Sequence, residues 1–284
     1  MPSQLLSYEA TSRQTSGAYP MHYHEAGDGS PLLLLHGSGP GVSAWSNFAA
    51  NLPVFAQTFR TLCPDMPGFG ASAPVPWTDA YSRVAADAIR SFLDDLDIDC
   101  IDIVGNSMGG NVAAEFALAH PHRVRRLVLM GPGGLAVNSF SPALSEGARR
   151  LFEFLAAPSR ERMVAWVETM VSDRSLITDE LIDERMANAM RPNVVATTAE
   201  IFATFDNPAL NTLPPLWARA REIYHSTLLI WGRDDRMLPY EGGLFPFRQL
   251  PKAELHVFSD CGHWAQVERK QDFERVVSEF VTRT

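Results

Sequence analysis

Residues 101–110 read Ile101-Asp102-Ile103-Val104-Gly105-Asn106-Ser107-Met108-Gly109-Gly110. A mostly β-branched run, Ile101 to Val104, stops at Gly105, and a helix-like stretch from Asn111 to His120 follows at once. Between them lies G-x-S-x-G, written here as Gly105-Asn106-Ser107-Met108-Gly109. A serine on a strand-to-helix turn this sharp needs small residues two positions to either side. The turn then lifts the serine Oγ above the sheet edge, with the following backbone N–H facing the same space. The five-letter pattern is weak alone, since Gly and Ser are common. The strand before it and the helix after it supply the context for a nucleophile rather than a structural turn.

Working outward, strands alternate with helices. Pro31 to Leu35 is a continuous apolar run ended by His36-Gly37 and the loop Ser38-Gly39-Pro40-Gly41, with a helix predicted from Ser43 to about Leu52. Arg60 to Cys63 reads as a strand, and Asp79 to Leu96 as an amphipathic helix whose apolar positions include Val84, Ala88, Phe92 and Leu96. Further strands are predicted at Arg126–Met130, Thr227–Trp231 and Glu254–Phe258, and a last helix at Gln271–Thr282. Ser7–Ala10 and Met21–Ala26 are read as two edge strands of a hairpin. This alternation predicts an α/β fold with a mostly parallel sheet covered on both faces. From about Ser139 to Pro208 the pattern is helical with no strand. That predicts a core in two parts, residues 1–138 and 211–284, with a helical lid at 139–210 set over the strand ends.

The 284 residues are 46% hydrophobic with a formal net charge of −9. Lys and Arg form no basic stripe, so neither nucleic acid nor an anionic membrane surface is an expected partner. The three cysteines, Cys63, Cys100 and Cys261, contain no CxxC pair, which argues against a disulfide framework or structural zinc. Met1 to Gly17 is polar and lacks the basic start and apolar centre of a secretory signal, and no apolar run is long enough to span a bilayer. A soluble, cytoplasmic protein is expected.

A serine nucleophile needs a base, and the base needs a carboxylate to hold its tautomer. Past one late strand lies Trp231-Gly232-Arg233-Asp234-Asp235-Arg236-Met237-Leu238-Pro239, which offers two aspartates. Past the last strand lies Ser259-Asp260-Cys261-Gly262-His263-Trp264, which offers a histidine. His263 is the base in this reading. His22, His24, His120, His122, His225 and His256 read as strand, helix-end or surface residues, and His36 as a loop-shaping residue at a strand end. Two converging N–H donors must hold an oxyanion. Met108 supplies one, and the position after His36-Gly37, Ser38, supplies the other. The Gly-rich loop matches no phosphate-binding pattern.

Together, the elbow, the His-Gly loop, Asp65-x-Pro67-Gly68-Phe69-Gly70-x-Ser72, the late Asp and the terminal His resemble the α/β-hydrolase fold over nearly the whole chain. More narrowly, five stretches resemble the meta-cleavage product hydrolases. They are His36 to Gly41 with Trp45-Ser46-Asn47, Gly105 to Gly110, Met130 to Gly134, Ser175 to Thr178, and Cys261 to Gln266. The resemblance implies a Ser107–Asp235–His263 triad, with Gly232 and Pro239 framing Asp235 rather than Asp234. It implies an oxyanion hole of the Ser38 and Met108 amides. It also implies a carboxylate and 2-oxo subsite made by Gly39, Asn47, Asn106, Arg185 and Trp264. A guanidinium with amide donors suits a dienoate carboxylate in a water-poor pocket. Ser38 departs from the Gly found in many biphenyl-pathway relatives, and Phe140, Met170 and Met237 are candidates for the distal pocket.

The implied reaction cleaves the C5–C6 bond of a 2-hydroxy-6-oxo-hexa-2,4-dienoate with no metal or organic cofactor, in a homo-oligomer. A carboxylesterase or lactonase would share the triad but would have no use for Arg185, Asn106 and Asn47 together. A ligand-binding receptor on the same fold would show slow turnover and tight product binding.

Overall fold

A computed structural model of the chain describes residues 6–137 and 143–283. Eight strands form one sheet: β1 (Ser12–Gln14), β2 (His22–Ala26), β3 (Ser30–Leu35), β4 (Phe59–Pro64), β5 (Ile101–Asn106), β6 (Val124–Met130), β7 (Ser226–Gly232) and β8 (Ala253–Phe258). Their order is β1-β2-β4-β3-β5-β6-β7-β8. β1 and β2 are antiparallel, and the six strands from β4 to β8 in that order run parallel. The central position of β3 and β5 explains their unbroken apolar character. Leu33 and Leu35 enter one core with Ile101, Ile103, Leu127 and Leu129. Leu32 and Leu34 enter the other with Val104, Val128 and Ile230. Each such side chain contributes about 1.5–3 kcal/mol by leaving water.

Thirteen α-helices accompany the sheet among the described residues: α1 (Tyr8–Thr11), α2 (Ala44–Phe48), α3 (Leu52–Phe55), α4 (Tyr81–Asp95), α5 (Met108–Ala119), α6 (Glu146–Ala156), α7 (Arg160–Val167), α8 (Asp179–Ala189), α9 (Val194–Asp206), α10 (Leu216–Arg219), α11 (Leu244–Gln249), α12 (Ala265–Glu268) and α13 (Lys270–Val281). α4 and α5 cover one face through Ile89, Phe92, Val112 and Phe116. α2, α3 and α13 cover the other through Phe48, Phe55, Phe273 and Phe280. α6 to α9 lie between β6 and β7 in sequence and carry most of a separate apolar cluster, including Leu151, Phe154, Met163, Trp166 and Ile182. Trp264 of the core joins that cluster.

Two sequence expectations are corrected. Ser7–Ala10 is not an edge strand; Ser7 caps α1 by accepting the Ala10 N–H, and the strand opposite β2 is Ser12–Gln14. A serine three residues before a free N–H is a helix start, and that local bond outweighs strand pairing for four residues. The helix expected from Ser43 to Leu52 is two short helices. A Ser43–Ser46 capping box opens α2, and Pro53, with no N–H to donate, lies in the first turn of a restarted helix, α3. The expected start of the helical block at Ser139, and Phe140, lie outside the described residues.

Candidate active site

β5 runs into α5 at Ser107, whose φ of +53° and ψ of −112° are costly for a residue with a side chain. The surroundings hold it there. Its N–H donates to Met130 O at 2.8 Å, and its carbonyl accepts the N–H groups of Gly133 at 2.9 Å and Asn111 at 3.1 Å. The flanking glycines are required by space. A Cβ at Gly105 would stand 2.4 Å from Gly109 O, and one at Gly109 would stand 2.2 Å from Leu35 O. Met108 begins α5, so its N–H has no acceptor within the helix.

His263 and Asp235 meet across the ends of β7 and β8. His263 Nδ1 lies 2.7 Å from Asp235 Oδ2, and both side chains are buried. The other carboxylate oxygen accepts the N–H groups of Met237 and Leu238, each at 2.8 Å, which fixes the plane of the group. Asp234 instead faces outward, accepting the Ser172 hydroxyl at 3.2 Å and pairing with Arg233. His36 shapes its loop as read: Nε2 accepts the Met66 N–H at 2.9 Å, and Nδ1 lies 2.6 Å from Gly37 O. Beneath that loop, burial works against the Asp65 carboxylate. The bond from His22, the nearby His36 and the amides of Ala71 and Ala44 nevertheless hold its pKa below the ordinary value.

Two cavities flank Ser107. The first is small, about 10 Å³, and is lined by Ser38, Asn47, Asn106, Ser107, Arg185, His263 and Trp264 together with Trp166, Met170 and Met237. The second is wide, about 640 Å³; Ser38, Ser107 and Met108 form one part of its wall, and Phe202, Phe205, Leu216, Trp217 and Met237 are among its apolar residues. Of the residues expected at the carboxylate subsite, only Gly39 does not line the small cavity. Its backbone passes so close to Trp166 that a Cβ would lie 2.2 Å from the indole.

The small cavity concentrates unused donors. Arg185 Nε and Nη1, Asn106 Nδ2 and Trp166 Nε1 are all buried without a hydrogen-bond partner. The Arg185 guanidinium lies over the Trp264 ring, 4.5 Å from its centroid, and 5.9 Å from that of Trp166. Burial without a paired carboxylate pushes its pKa down to about 10, which Glu184 offsets only in part. An unpaired buried guanidinium is expensive, and a bound anion relieves it. Trp166 is the member the sequence reading missed. Within α7 it has the spacing of an apolar core position, and its indole N–H is the one sequence signal for a polar role. No cluster of three His, Cys, Asp or Glu side chains suited to a metal occurs among the described residues, and none of their helices is long and apolar enough to cross a membrane.

Residues 30–270 match the family model for the alpha/beta hydrolase fold. A 2-hydroxy-6-oxo-6-phenylhexa-2,4-dienoate hydrolase of Burkholderia cepacia is 40% identical over 267 residues, 93% of this chain and 91% of that one. The chain belongs to the meta-cleavage product hydrolases. Among relatives of this family, a 2-hydroxy-6-oxononadienedioate/2-hydroxy-6-oxononatrienedioate hydrolase of Paraburkholderia xenovorans is 39% identical, covering 95% of this chain and 93% of its own. The solved 2-hydroxy-6-oxo-6-phenylhexa-2,4-dienoate hydrolase of a Rhodococcus strain superposes with a TM-score of 0.86 at 30% identity, covering 96% of this chain and 98% of its own. As a meta-cleavage product hydrolase, the protein is an enzyme on an α/β-hydrolase fold.

Proposed function

We propose that this enzyme hydrolyses the C5–C6 bond of 2-hydroxy-6-oxo-6-substituted-hexa-2,4-dienoates, releasing 2-hydroxypenta-2,4-dienoate and a carboxylic acid. The observation that carries the reading is the set of four unpartnered buried donors beside Ser107 and His263. A simple ester presents no anion for Arg185, whereas the dienoate carboxylate and 2-oxygen supply acceptors for Arg185, Asn106 and Trp166. In this reading α6 to α9 form a lid, residues 139–210, over a core of residues 1–138 and 211–284. The dienoate end sits against Arg185, Asn47, Asn106 and Trp264, with Gly39 making room for Trp166. The C6 substituent extends into the wide apolar cavity.

The chemistry then follows from position. The bound dienol ketonises, placing a proton on C5. His263 takes the Ser107 proton as Oγ attacks C6, and the Met108 and Ser38 amides hold the oxyanion. Collapse breaks C5–C6, its electron pair delocalises onto the 2-oxygen that Arg185 faces, and the proton held by His263 passes to the departing dienolate, which leaves as the 2-hydroxy product and returns His263 to its neutral form. Water, activated by His263, then hydrolyses the acyl-enzyme to the acid. Self-association, expected from the family, belongs to the same reading and is measured by light scattering. The test is bleaching of the coloured dienolate from a ring-opened catechol by the wild type and by Ser107→Ala. Rapid bleaching that is nearly abolished in the variant supports the reading. Brisk p-nitrophenyl ester turnover with no bleaching of either aryl or alkyl C6 substrates makes the protein a plain esterase.

A further inference from the structure

We propose that Glu268 is a positioning residue that clamps the catalytic-histidine loop to the lid; the inference rests on the reading of Ser107, Asp235 and His263 as the triad. After α7 the chain turns through residues 168–173 and crosses the loop that carries His263. There Met170 O accepts two consecutive N–H groups, from His263 at 2.8 Å and from Trp264 at 3.3 Å. The N–H just before them, on Gly262, donates to Glu268 Oε1 at 2.6 Å. The other oxygen of the same carboxylate accepts from the lid side, the N–H groups of Ser172 at 2.6 Å and Asp173 at 3.0 Å.

Three amides in a row, at 262, 263 and 264, are thus held either by the lid or by a side chain itself bonded to the lid. α12 makes this reach possible. Its single turn folds the chain back, with Glu268 N–H donating to Trp264 O at 2.9 Å, and so returns residue 268 beneath residue 262. The three acceptor contacts of Glu268 go to backbone N–H groups rather than to a cationic side chain, which ties the carboxylate to the geometry of two loops. Gly262 has no alternative side chain to offer: a Cβ there would stand 2.7 Å from Met170 O. The ring of His263 is set at one end by Asp235 and at the other by this backbone. A displacement of the lid at 170–173 is therefore transmitted to the base, and a loosened Glu268 frees the two from each other.

Glu268→Gln tests this with little change of shape. An amide keeps one acceptor and turns its NH2 toward an N–H donor, so one of the two anchors is lost. The expected result is a fall in kcat of about tenfold or more on both the dienolate and p-nitrophenyl acetate, with a much smaller change in KM. It should come with a shifted or broadened downfield proton signal of the His263–Asp235 hydrogen bond. A purely structural carboxylate would lower Tm yet leave kcat per titrated active site unchanged, and that outcome overturns the proposal. Loss of dienolate turnover with full ester turnover also overturns it, because the histidine would then be undisturbed. Glu268→Ala, which leaves all three donors unaccepted, should show the larger effect of the two. The ester readout keeps this test separate from the C–C cleavage reading, because it depends on Ser107 and His263 whatever the natural substrate is.

Discussion

Arg185 is placed against its own stability. Its guanidinium is buried, two of its nitrogens lack partners, and its charge is disfavoured by burial. Replacing such a group with an apolar side chain of similar volume removes an uncompensated charge. Arg185→Met should therefore raise Tm, by about 2–4 °C for each kcal/mol recovered, while raising the KM for the dienolate about a hundredfold through two lost charge-assisted bonds. A lowered Tm in thermal unfolding would refute this trade. The pH dependence has a definite sign. As pH rises through about 10, the free enzyme loses the Arg185 proton and with it the counter-charge this residue would offer a bound carboxylate. Bleaching kcat/KM should fall on that alkaline limb, and the limb should be missing in Arg185→Met. Stability moves the other way. Over the range just above pH 10 the unfolded chain binds the more protons, so this residue's penalty on folding fades as pH increases. Arg185 was legible in the sequence only through family resemblance, because Asp183 and Glu184 beside it make it look like a solvated helix-face charge. Its burial depends on α8 being pressed onto Trp264 and Trp166, residues distant in sequence.

At the level of elements, the strand–elbow–helix unit is nearly complete in local sequence. Gly105 and Gly109 face each other across the turn, and β3 passes directly behind. Gly109→Ala should push Leu35 O away and lower both Tm and activity, at a cost of about 1–3 kcal/mol or more for overpacking against backbone. Gly133→Ala is the matched control, since the nearest atom to its Cβ would be Ser107 O at an ordinary 3.6 Å. Equal losses in the two variants would show that the elbow is not limited by space. The N-terminal elements were harder to read. Ser7 and Ser43 act as helix caps, and such a cap is one short bond that a period-based reading of strands overlooks. β1 is only three residues long and alternation has little room to show in it.

For the whole molecule, the small size of that cavity carries a kinetic prediction. At about 10 Å³ it has room for no more than a single water, so a carboxylate seated there is expected to displace the Trp166 and Arg185 side chains that line it. Binding to Ser107→Ala should then be two-step, with a stopped-flow rate that saturates as substrate concentration rises. A rate that stays linear to high concentration would mean that the site is open before substrate arrives.

From sequence alone came the central alternation of strands and helices, the elbow at Ser107, and the candidate chain positions of a base and its acid. Each is a local pattern: apolar runs of fixed period, small residues around a sharp turn, loops at strand ends. Only the tertiary structure decided the rest. It set Asp235 Oδ2 against His263 Nδ1, and it brought Trp166 and Arg185 of the helical insertion to Asn106 of β5 with their donors unused. It also closed the carboxylate of Glu268 on two loops about ninety residues apart. Hydrogen bonds and burial depend on which distant segments meet, and no periodicity within one segment encodes that meeting.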